Sequence, residues 1–80
     1  MKHVDTKKIE RRLRLSYRRL RAYQTIIHEI RSLEKKYINN PDVLDALLSI
    51  ESFLNKIIEK LVRSIDVNKK KLEEAEKKPI

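Results

Sequence analysis

The 80-residue sequence contains no glycine and no cysteine, and each absence excludes a class of site. Without cysteine, the chain has neither a disulfide framework nor a thiolate metal site. Without glycine, phosphate-binding loops, nucleophile elbows and most tight β-turns are excluded. Only two prolines are present, so little in the sequence interrupts a helix. The chain is therefore predicted to be all-α.

Long apolar runs are also missing. The longest segment without Asp, Glu, Lys or Arg is seven residues, Ala22 to His28. A membrane span or the core of a signal peptide needs a longer apolar stretch. We therefore expect a soluble cytoplasmic protein with no membrane association. The abundance of Ile, Lys, Arg and Glu and the scarcity of Asn and Gln fit a thermophilic source.

Positive charge is concentrated in the first half of the chain. Residues 1–40 contain twelve Lys or Arg and four Asp or Glu, whereas residues 41–80 contain eight of each kind. Residues 1–21 alone carry a net charge of +7. Surface charge that serves thermal stability would distribute both signs over both halves. The asymmetry favours a polyanionic partner.

Five of these cations fall along one edge of a predicted helix, at alternating spacings of four and three residues. At about 100° per residue they span roughly 80° of arc. Glu10 is the one acidic residue among eight cations between positions 7 and 21, so a passive face of mixed ion pairs is disfavoured. We call this edge the basic stripe; it consists of Lys7, Arg11, Arg14, Arg18 and Arg21.

The composition of this region favours double-stranded DNA as the partner. Six of the eight cations are arginine, which binds phosphates and guanine edges bidentately. Single-strand binders usually interleave several aromatic residues with the cations, and this chain has three Tyr and one Phe. Tyr23 falls in the apolar seam, whereas Gln24 is a weaker candidate for a base contact. The predicted nucleic-acid-binding residues are Lys7, Lys8, Arg11, Arg12, Arg14, Tyr17, Arg18, Arg19 and Arg21.

The first helix is predicted from about residue 6 to residue 37, with Asp5 or Thr6 as its N-cap. Its apolar residues follow a heptad pattern that Ser16 and Glu34 interrupt. Such a seam lies opposite the basic stripe and packs on another helix. The predicted seam consists of Ile9, Leu13, Ser16, Leu20, Tyr23, Ile27, Ile30, Glu34 and Tyr37.

A second helix is predicted from about residue 41 to residue 76. Asn40 is a good N-cap and Pro41 suits the first helical position. The short connection makes the two helices antiparallel neighbours in a single helical domain, residues 1–80. Beyond Asn68 the apolar pattern thins, so residues 69–80 are predicted to be a polar helical tail that frays.

The apolar face of this second helix is too broad for one partner helix. Besides its main stripe it carries a second one, through Ile50, Phe53, Ile57 and Val62. A homodimer that forms a four-helix bundle or a coiled-coil-like assembly would cover both stripes. The predicted dimer core consists of Leu44, Leu47, Ile50, Leu54, Ile57, Ile58, Leu61 and Ile65.

Enzymatic chemistry finds little support in the sequence. Its two histidines, His3 and His28, have no carboxylate or cysteine at a zinc-ligand spacing, so no metal is predicted. Chorismate-mutase-like helical dimers line an interior pocket with Arg and Lys, whereas these arginines face away from the seam. We therefore expect no catalytic residues, no cofactor and no small-molecule substrate.

Residues Lys8 to Tyr23, KIERRLRLSYRRLRAY, interleave cations with heptad positions on the same turns. Eukaryotic basic-leucine-zipper proteins instead place the cations before the heptads. This stretch and the hydrophobic helix after it resemble the small, leucine-zipper-like regulatory DNA-binding proteins of crenarchaeal plasmids of the Sulfolobus pRN type. The resemblance implies sequence-specific binding to duplex DNA and a role in controlling plasmid or viral transcription or copy number. It also implies that the protein is associated with the nucleoid or a plasmid.

Two other interpretations of the basic stripe remain open on the sequence alone. One is an RNA-binding or ribosome-associated helical protein. The other is a helical adaptor whose basic face binds an acidic protein partner.

Overall fold

The computed structural model describes residues 5–77, which form two helices joined by a short turn. Helix α1 spans Thr6–Lys36 and helix α2 spans Pro41–Lys77. They pack side by side as an antiparallel hairpin with extents of 63 × 15 × 15 Å. The predicted all-α helical hairpin is confirmed, and the helix bounds agree with the prediction to within one residue.

Both helices begin at the N-caps that the sequence predicts. The Asp5 carboxylate accepts a hydrogen bond from the Lys8 backbone N–H at 3.2 Å, so Asp5 rather than Thr6 is the cap. Asn40 Oδ1 accepts from the Val43 backbone N–H at 3.3 Å. These bonds satisfy amide groups that the first helical turn leaves without a partner. The caps therefore fix where each helix starts.

The α1 seam is the predicted heptad. Every predicted position from Ile9 to Glu34 is buried or half-buried, and Tyr37 ends the series as the C-cap residue, 36% exposed. Helix α2 contains a matching heptad series of buried or half-buried residues that packs against this seam. That series consists of Leu44, Leu47, Glu51, Leu54, Ile58, Leu61, Ile65, Asn68, Leu72 and Ala75.

Two apolar clusters lie along this seam, and they divide the hairpin into two halves. The open half, residues 5–21 and 59–77, contains Ile9, Leu13 and Ile65 with Leu20, Leu61 and Leu72 packed around them. The loop half, residues 22–58, contains a second cluster. Its members are Ile27, Ile30 and Leu54, with Tyr23, Leu47, Ile57 and Ile58 packed against them.

Residues 69–77 continue α2 as helix, in line with the predicted helix to about residue 76, and the fraying of this tail stays a prediction. Leu72 packs against the cluster at the start of α1, and Ala75 is half-buried one heptad step later. The apolar pattern thins there because α2 contacts only the first turns of α1, through a single row of side chains. Residues 78–80 lie outside the described part of the chain.

Most of the residues that were predicted as a dimer core lie in the intramolecular seam. Leu54 and Ile65 are buried against α1, and four more are half-buried there: Leu44, Leu47, Ile58 and Leu61. Ile50, by contrast, is 49% exposed, and Ile57 is half-buried at the seam margin. A role in a dimer stays a prediction. Of the predicted residues, Ile50 and Ile57 are the ones that the packing of α1 on α2 does not use fully.

A polar layer interrupts the apolar contacts near the turn. Arg31 Nε lies 3.4 Å from Glu51 Oε1, and Glu34 shares the layer. Glu34 Oε2 is covered and has no hydrogen-bond partner. Burial, together with the neighbouring Glu51 carboxylate, raises the pKa of Glu34, and the Arg31 charge lowers it only in part. The layer therefore favours the protonated form of Glu34 more than water does around a free glutamate.

Candidate nucleic-acid interface

Two shallow grooves run along the hairpin, one on each side of the seam. On the first side, Arg12 and Arg19 of α1 lie beside Ile57 and Ser64 of α2. We call this the Ile57 side.

The other groove contains Arg31 of α1 and Asn55 of α2, and we call it the Arg31 side. His28 and Gln24 line the same groove. Because residues seven apart share a face of a coiled pair of helices, these landmarks place every exposed side chain on one side or the other.

The basic stripe lies on the outer edge of α1 in the open half. Arg11 sits midway between two seam residues, Ile9 and Leu13, so it is about half a turn away from the seam, and Arg18 repeats this position one heptad later. The other three stripe residues, Lys7, Arg14 and Arg21, each follow a seam position and lean toward the Arg31 side. All five are exposed.

The remaining predicted cations wrap around α1 onto its other flank. Arg12 and Arg19 precede seam residues and line the groove on the Ile57 side. Lys8 lies between them and the outer edge and is exposed. The predicted residues therefore do not form a single line. They cover most of the solvent-facing surface of α1 in the open half, where Glu10 and Leu15 are also exposed.

Few carboxylates neutralise this surface. Within residues 5–77, none of the eight cations at positions 7–21 has a carboxylate oxygen within 4.0 Å, and the first turn of α1 contains no acidic residue. The outer edge of α2 differs, because its cations alternate with carboxylates at helical spacings of four, Glu59 to Arg63 and Asp66 to Lys70. The outer edge of α1 is thus the uncompensated one.

Tyr17 is exposed on the Arg31 side, where it lies beside a cation of α2 that sequence reasoning missed. The Lys69 Nζ atom is 5.7 Å from the centroid of the Tyr17 ring. Interaction with the Tyr17 side chain raises the pKa of Lys69 further above neutral pH, so the contact favours the charged ammonium group. Lys69 extends the cationic surface from α1 onto α2. Only the register of the hairpin brings these two residues together, which local patterns do not reveal.

The surface of the basic stripe is open rather than enclosed. A shallow depression on it is lined by Tyr17, Arg18, Arg21 and Thr25. The Thr25 hydroxyl donates to the Arg21 carbonyl oxygen at 3.0 Å, which engages that hydroxyl within the helix. Gln24 is exposed beside His28, and Tyr23 is half-buried in the seam as predicted. The available groups at this surface are guanidinium, ammonium and phenol.

No three His, Cys, Asp or Glu side chains in residues 5–77 are grouped so that they could hold a metal ion. Neither α1 nor α2, over the part of the chain described, contains an apolar stretch long enough to cross a membrane.

Comparison with known proteins yields no match: no protein-family model, no characterised protein and no solved structure is significantly similar to this chain.

Proposed function

We propose that the chain is a double-stranded DNA-binding protein that works as a homodimer and contacts DNA through α1 of the open half. The observation that carries the proposal is the run of eight exposed cations from Lys7 to Arg21 without carboxylate partners. This run covers about 21 Å of helix, at 1.5 Å per residue. A surface of this length can contact several phosphates at once.

The charge distribution between the two halves supports a polyanionic partner. The open half carries fourteen Lys or Arg and seven Asp or Glu, whereas the loop half carries four and five. Arginines on adjacent helical turns repel one another, so this arrangement costs helix stability in the free protein. DNA phosphates would relieve that repulsion and release condensed counterions.

The side chains on this surface favour a duplex over a single strand. Tyr17 is the one aromatic residue among the predicted contact residues, and stacking platforms for single strands need several. Arginine also reads guanine edges in the major groove of B-DNA. The deep major groove of A-form RNA is too narrow for side chains to read in this way.

The exposed area supports a dimer. The chain has 7168 Å² of accessible surface, and a folded globular monomer of this size is expected to expose about 5,100 Å². Within residues 5–77, no large side chain is fully buried. An elongated hairpin explains part of this excess, and a second copy in a four-helix bundle would cover the rest.

Sequence-specific regulation of a plasmid or viral gene, or of copy number, is the finer form of the proposal. It rests on the resemblance of Lys8 to Tyr23 to crenarchaeal plasmid regulators and on the arginine content of that segment. A nucleoid- or plasmid-associated location in the cytoplasm follows from the same proposal.

The test compares the outer edges of the two helices. Replacing Arg11, Arg14 and Arg18 with alanine should weaken duplex binding at least about 100-fold, because each copy loses three phosphate contacts. The matched control replaces three exposed cations at corresponding positions on α2, which have carboxylate neighbours: Lys56, Arg63 and Lys70. Affinity is measured by fluorescence anisotropy, with circular dichroism to verify the helix content.

If both triple variants lost affinity equally, the proposal that DNA binds the outer edge of α1 would be contradicted. Competition with structured RNA and with heparin provides the second readout. If structured RNA displaced the duplex at lower concentration than duplex competitor did, the RNA-binding alternative would replace the DNA proposal. If neither nucleic acid bound, an acidic protein partner would be the alternative to pursue.

A further inference from the structure

Several highly exposed large apolar side chains lie in the loop half, away from the basic stripe, and two others, Leu15 and Val67, lie in the open half at 46% and 52% exposure. Phe53 is 64% exposed, Ile50 is 49% exposed, and Ile26 and Leu33 are 44% and 40% exposed. Exposing several such residues together is costly in water and usually marks an interaction surface. They can form one interaction surface only if they share one side of the hairpin.

Heptad spacing places all four on the Ile57 side. Phe53 precedes Lys60 by seven residues and Ile50 precedes Ile57 by seven, and both Lys60 and Ile57 line the groove on that side. On α1, Ile26 and Leu33 follow Arg19, also in that groove, by seven and fourteen residues. The four residues therefore form one apolar patch, which we call the Phe53 patch. Val62, which the sequence grouped with this stripe, follows Asn55 by seven and lies on the Arg31 side.

Charge on the Ile57 side changes sharply between the two halves. In the loop half, the charged residues at the outward positions of this side are Glu29 and Lys36, which have opposite signs. In the open half, the same side carries five cations and one carboxylate: Lys8, Arg12, Arg19, Lys60, Lys71 and Glu74. A partner that covers the Phe53 patch must therefore avoid the open half or bring negative charge to it.

We infer that the Phe53 patch binds the same patch of a second copy of this chain, antiparallel, about a two-fold axis that passes close to Phe53 and Glu29. The inference rests on the homodimer of the proposed function and specifies which surface forms it. The two copies overlap only along their loop halves. Their open halves extend in opposite directions.

The patch is self-complementary under this symmetry. With the axis at Phe53, antiparallel pairing sets Phe53 against Phe53 of the partner subunit and Ile50 against Ile57 of the partner subunit. On α1 it sets Ile26 against Leu33 of the partner subunit. A closed two-fold dimer requires such reciprocal contacts, and a large aromatic residue at the centre is typical of an interface anchor.

The other symmetric arrangements conflict with the charges. A parallel dimer on this side would stack the two cationic open halves, so Arg19 of one copy would face Lys60 of the partner subunit and Arg12 would face Lys71 of the partner subunit. An antiparallel dimer with full overlap would place the Phe53 patch on the cations of the other open half, which buries unpaired charge. Overlap of the loop halves alone avoids both costs.

This dimer would present both basic stripes on one face. The two-fold axis packs α1 of one copy against α1 of the other. The outer edges of the two α1 helices therefore point in the same direction. Arg14, near the centre of the stripe, lies fifteen residues from Glu29. At 1.5 Å per residue, the two stripe centres are about 45 Å apart along the dimer. Two contacts separated in this way would engage two segments of one duplex whose centres lie about 13 base pairs apart, at about 3.4 Å per base pair.

Distances between the two copies test the arrangement directly. The chain has no cysteine, so single cysteines at exposed positions on the outer edge of α2 accept nitroxide labels without interference. In the inferred dimer, labels at Ser49→Cys should lie under about 25 Å apart and labels at Lys70→Cys about 50 Å apart, from the helical rise on each side of the axis. Pulsed electron paramagnetic resonance measures both distances without DNA.

Equal distances at the two sites would overturn the inference. A parallel dimer gives the same separation at both, and a fully overlapping antiparallel dimer gives about 30 Å at both. A monomer gives no defined distance and also overturns it. If the distances are as expected but the protein binds no duplex, the dimer inference stands and the DNA proposal fails.

A charge placed at the centre of the patch provides the second variant. Phe53→Lys should raise the dimer dissociation constant at least about 100-fold, because two lysines would meet at the axis. The control is Leu48→Lys on the Arg31 side, where a 47% exposed leucine lines the other groove. Sedimentation equilibrium should show an unchanged dimer for the control. Loss of the dimer in the control alone would move the interface to the Arg31 side.

Discussion

The two halves of the hairpin share one packing pattern and differ in what they leave exposed. Each half has an apolar cluster built from the same heptad positions of α1 and α2. Outside the seam, the open half exposes cations, whereas the loop half exposes the Phe53 patch. The seam therefore determines the hairpin, and the flanking positions determine what each half can bind.

This division would let one short chain combine the two proposed tasks, DNA binding and dimerisation. A cationic surface that was also apolar would aggregate on its own or with nucleic acid, and an apolar interface that carried many cations would repel its copy. Separating the two along a 63 Å hairpin lets each surface be optimised alone. The comparison predicts that substitutions in one half leave the task of the other intact.

The largest expected effects come from the seam itself, which both halves need. Leu54→Ala in the loop half and Ile65→Ala in the open half should each lower the free energy of unfolding by about 2 to 5 kcal/mol. Both side chains are buried, at 9% and 4% exposure, and total stability in small domains is only about 5–15 kcal/mol. Urea denaturation followed by circular dichroism measures the loss.

Val67→Ala is the matched control for these truncations, because Val67 is 52% exposed. We expect a change within about 0.5 kcal/mol there. If Ile65→Ala cost no more than Val67→Ala, the two helices would not be packed together in the open half, and the shared seam would be limited to the loop half.

The second-largest effect is expected in the salt dependence of DNA binding, to which the open half should contribute and the loop half should not. Each phosphate contact contributes about 0.9 to the slope of log K against log salt, and we expect a slope of magnitude at least about 5 for the dimer. Replacing Arg14 and Arg18 with alanine should reduce that magnitude by about 3 to 4, since each copy loses two contacts. Anisotropy titrations at several salt concentrations measure it.

The loop half offers the control for this slope. Lys35 and Lys36 are exposed cations in the last turn of α1, and their replacement with alanine should leave the slope unchanged. An equal reduction by both double variants would mean that DNA runs along the whole of α1, and the division between halves would fail for binding.

The smallest expected effect concerns the polar layer in the loop half. Because the pKa of Glu34 is raised in the folded chain, the folded state holds its proton more tightly than the unfolded state does. The ionised carboxylate therefore costs stability once the pH rises through the raised pKa, and the cost disappears below the ordinary value of 4.5. Glu34→Gln should stabilise the hairpin at pH 7 and make little difference near pH 3.

Thermal unfolding of both proteins at the two pH values measures this difference. The glutamine amide can also donate a hydrogen bond to Glu51, which adds to the gain. A Glu34→Gln variant that is less stable at pH 7 would show that the Glu34 carboxylate is ionised and paired in the fold. Arg31 would then be its partner instead of serving Glu51 alone.

The seam was predictable from the sequence because heptad spacing fixes which face of each helix is buried. Ser16 and Glu34 interrupt the apolar pattern, yet both lie in the seam, since their neighbours on either side hold them there. Asn40 was predictable as a cap because its chemistry is local. The exposure of the basic stripe followed from the seam, as its residues lie half a turn away.

Contacts between the helices were not predictable in the same way. The approach of Lys69 to Tyr17 depends on the register of the hairpin, and no local pattern encodes it. Val62 was grouped with Phe53 because both lie beside the main apolar stripe of α2. Val62 follows a seam residue whereas Phe53 precedes one, so the two flank opposite grooves. The contact of Leu72 with the cluster at the start of α1 likewise depends on the register of the hairpin.

We propose that duplex DNA binds the open half while the loop half joins two copies. Backbone amide resonances recorded during titration with a duplex of about 20 base pairs test it most directly, because they report on every residue at once. We expect the largest shifts between Lys7 and Arg21, a smaller shift at Lys69, and little change around Phe53. Shifts concentrated between Ile26 and Ile57, with Lys7 to Arg21 unaffected, would contradict the claim.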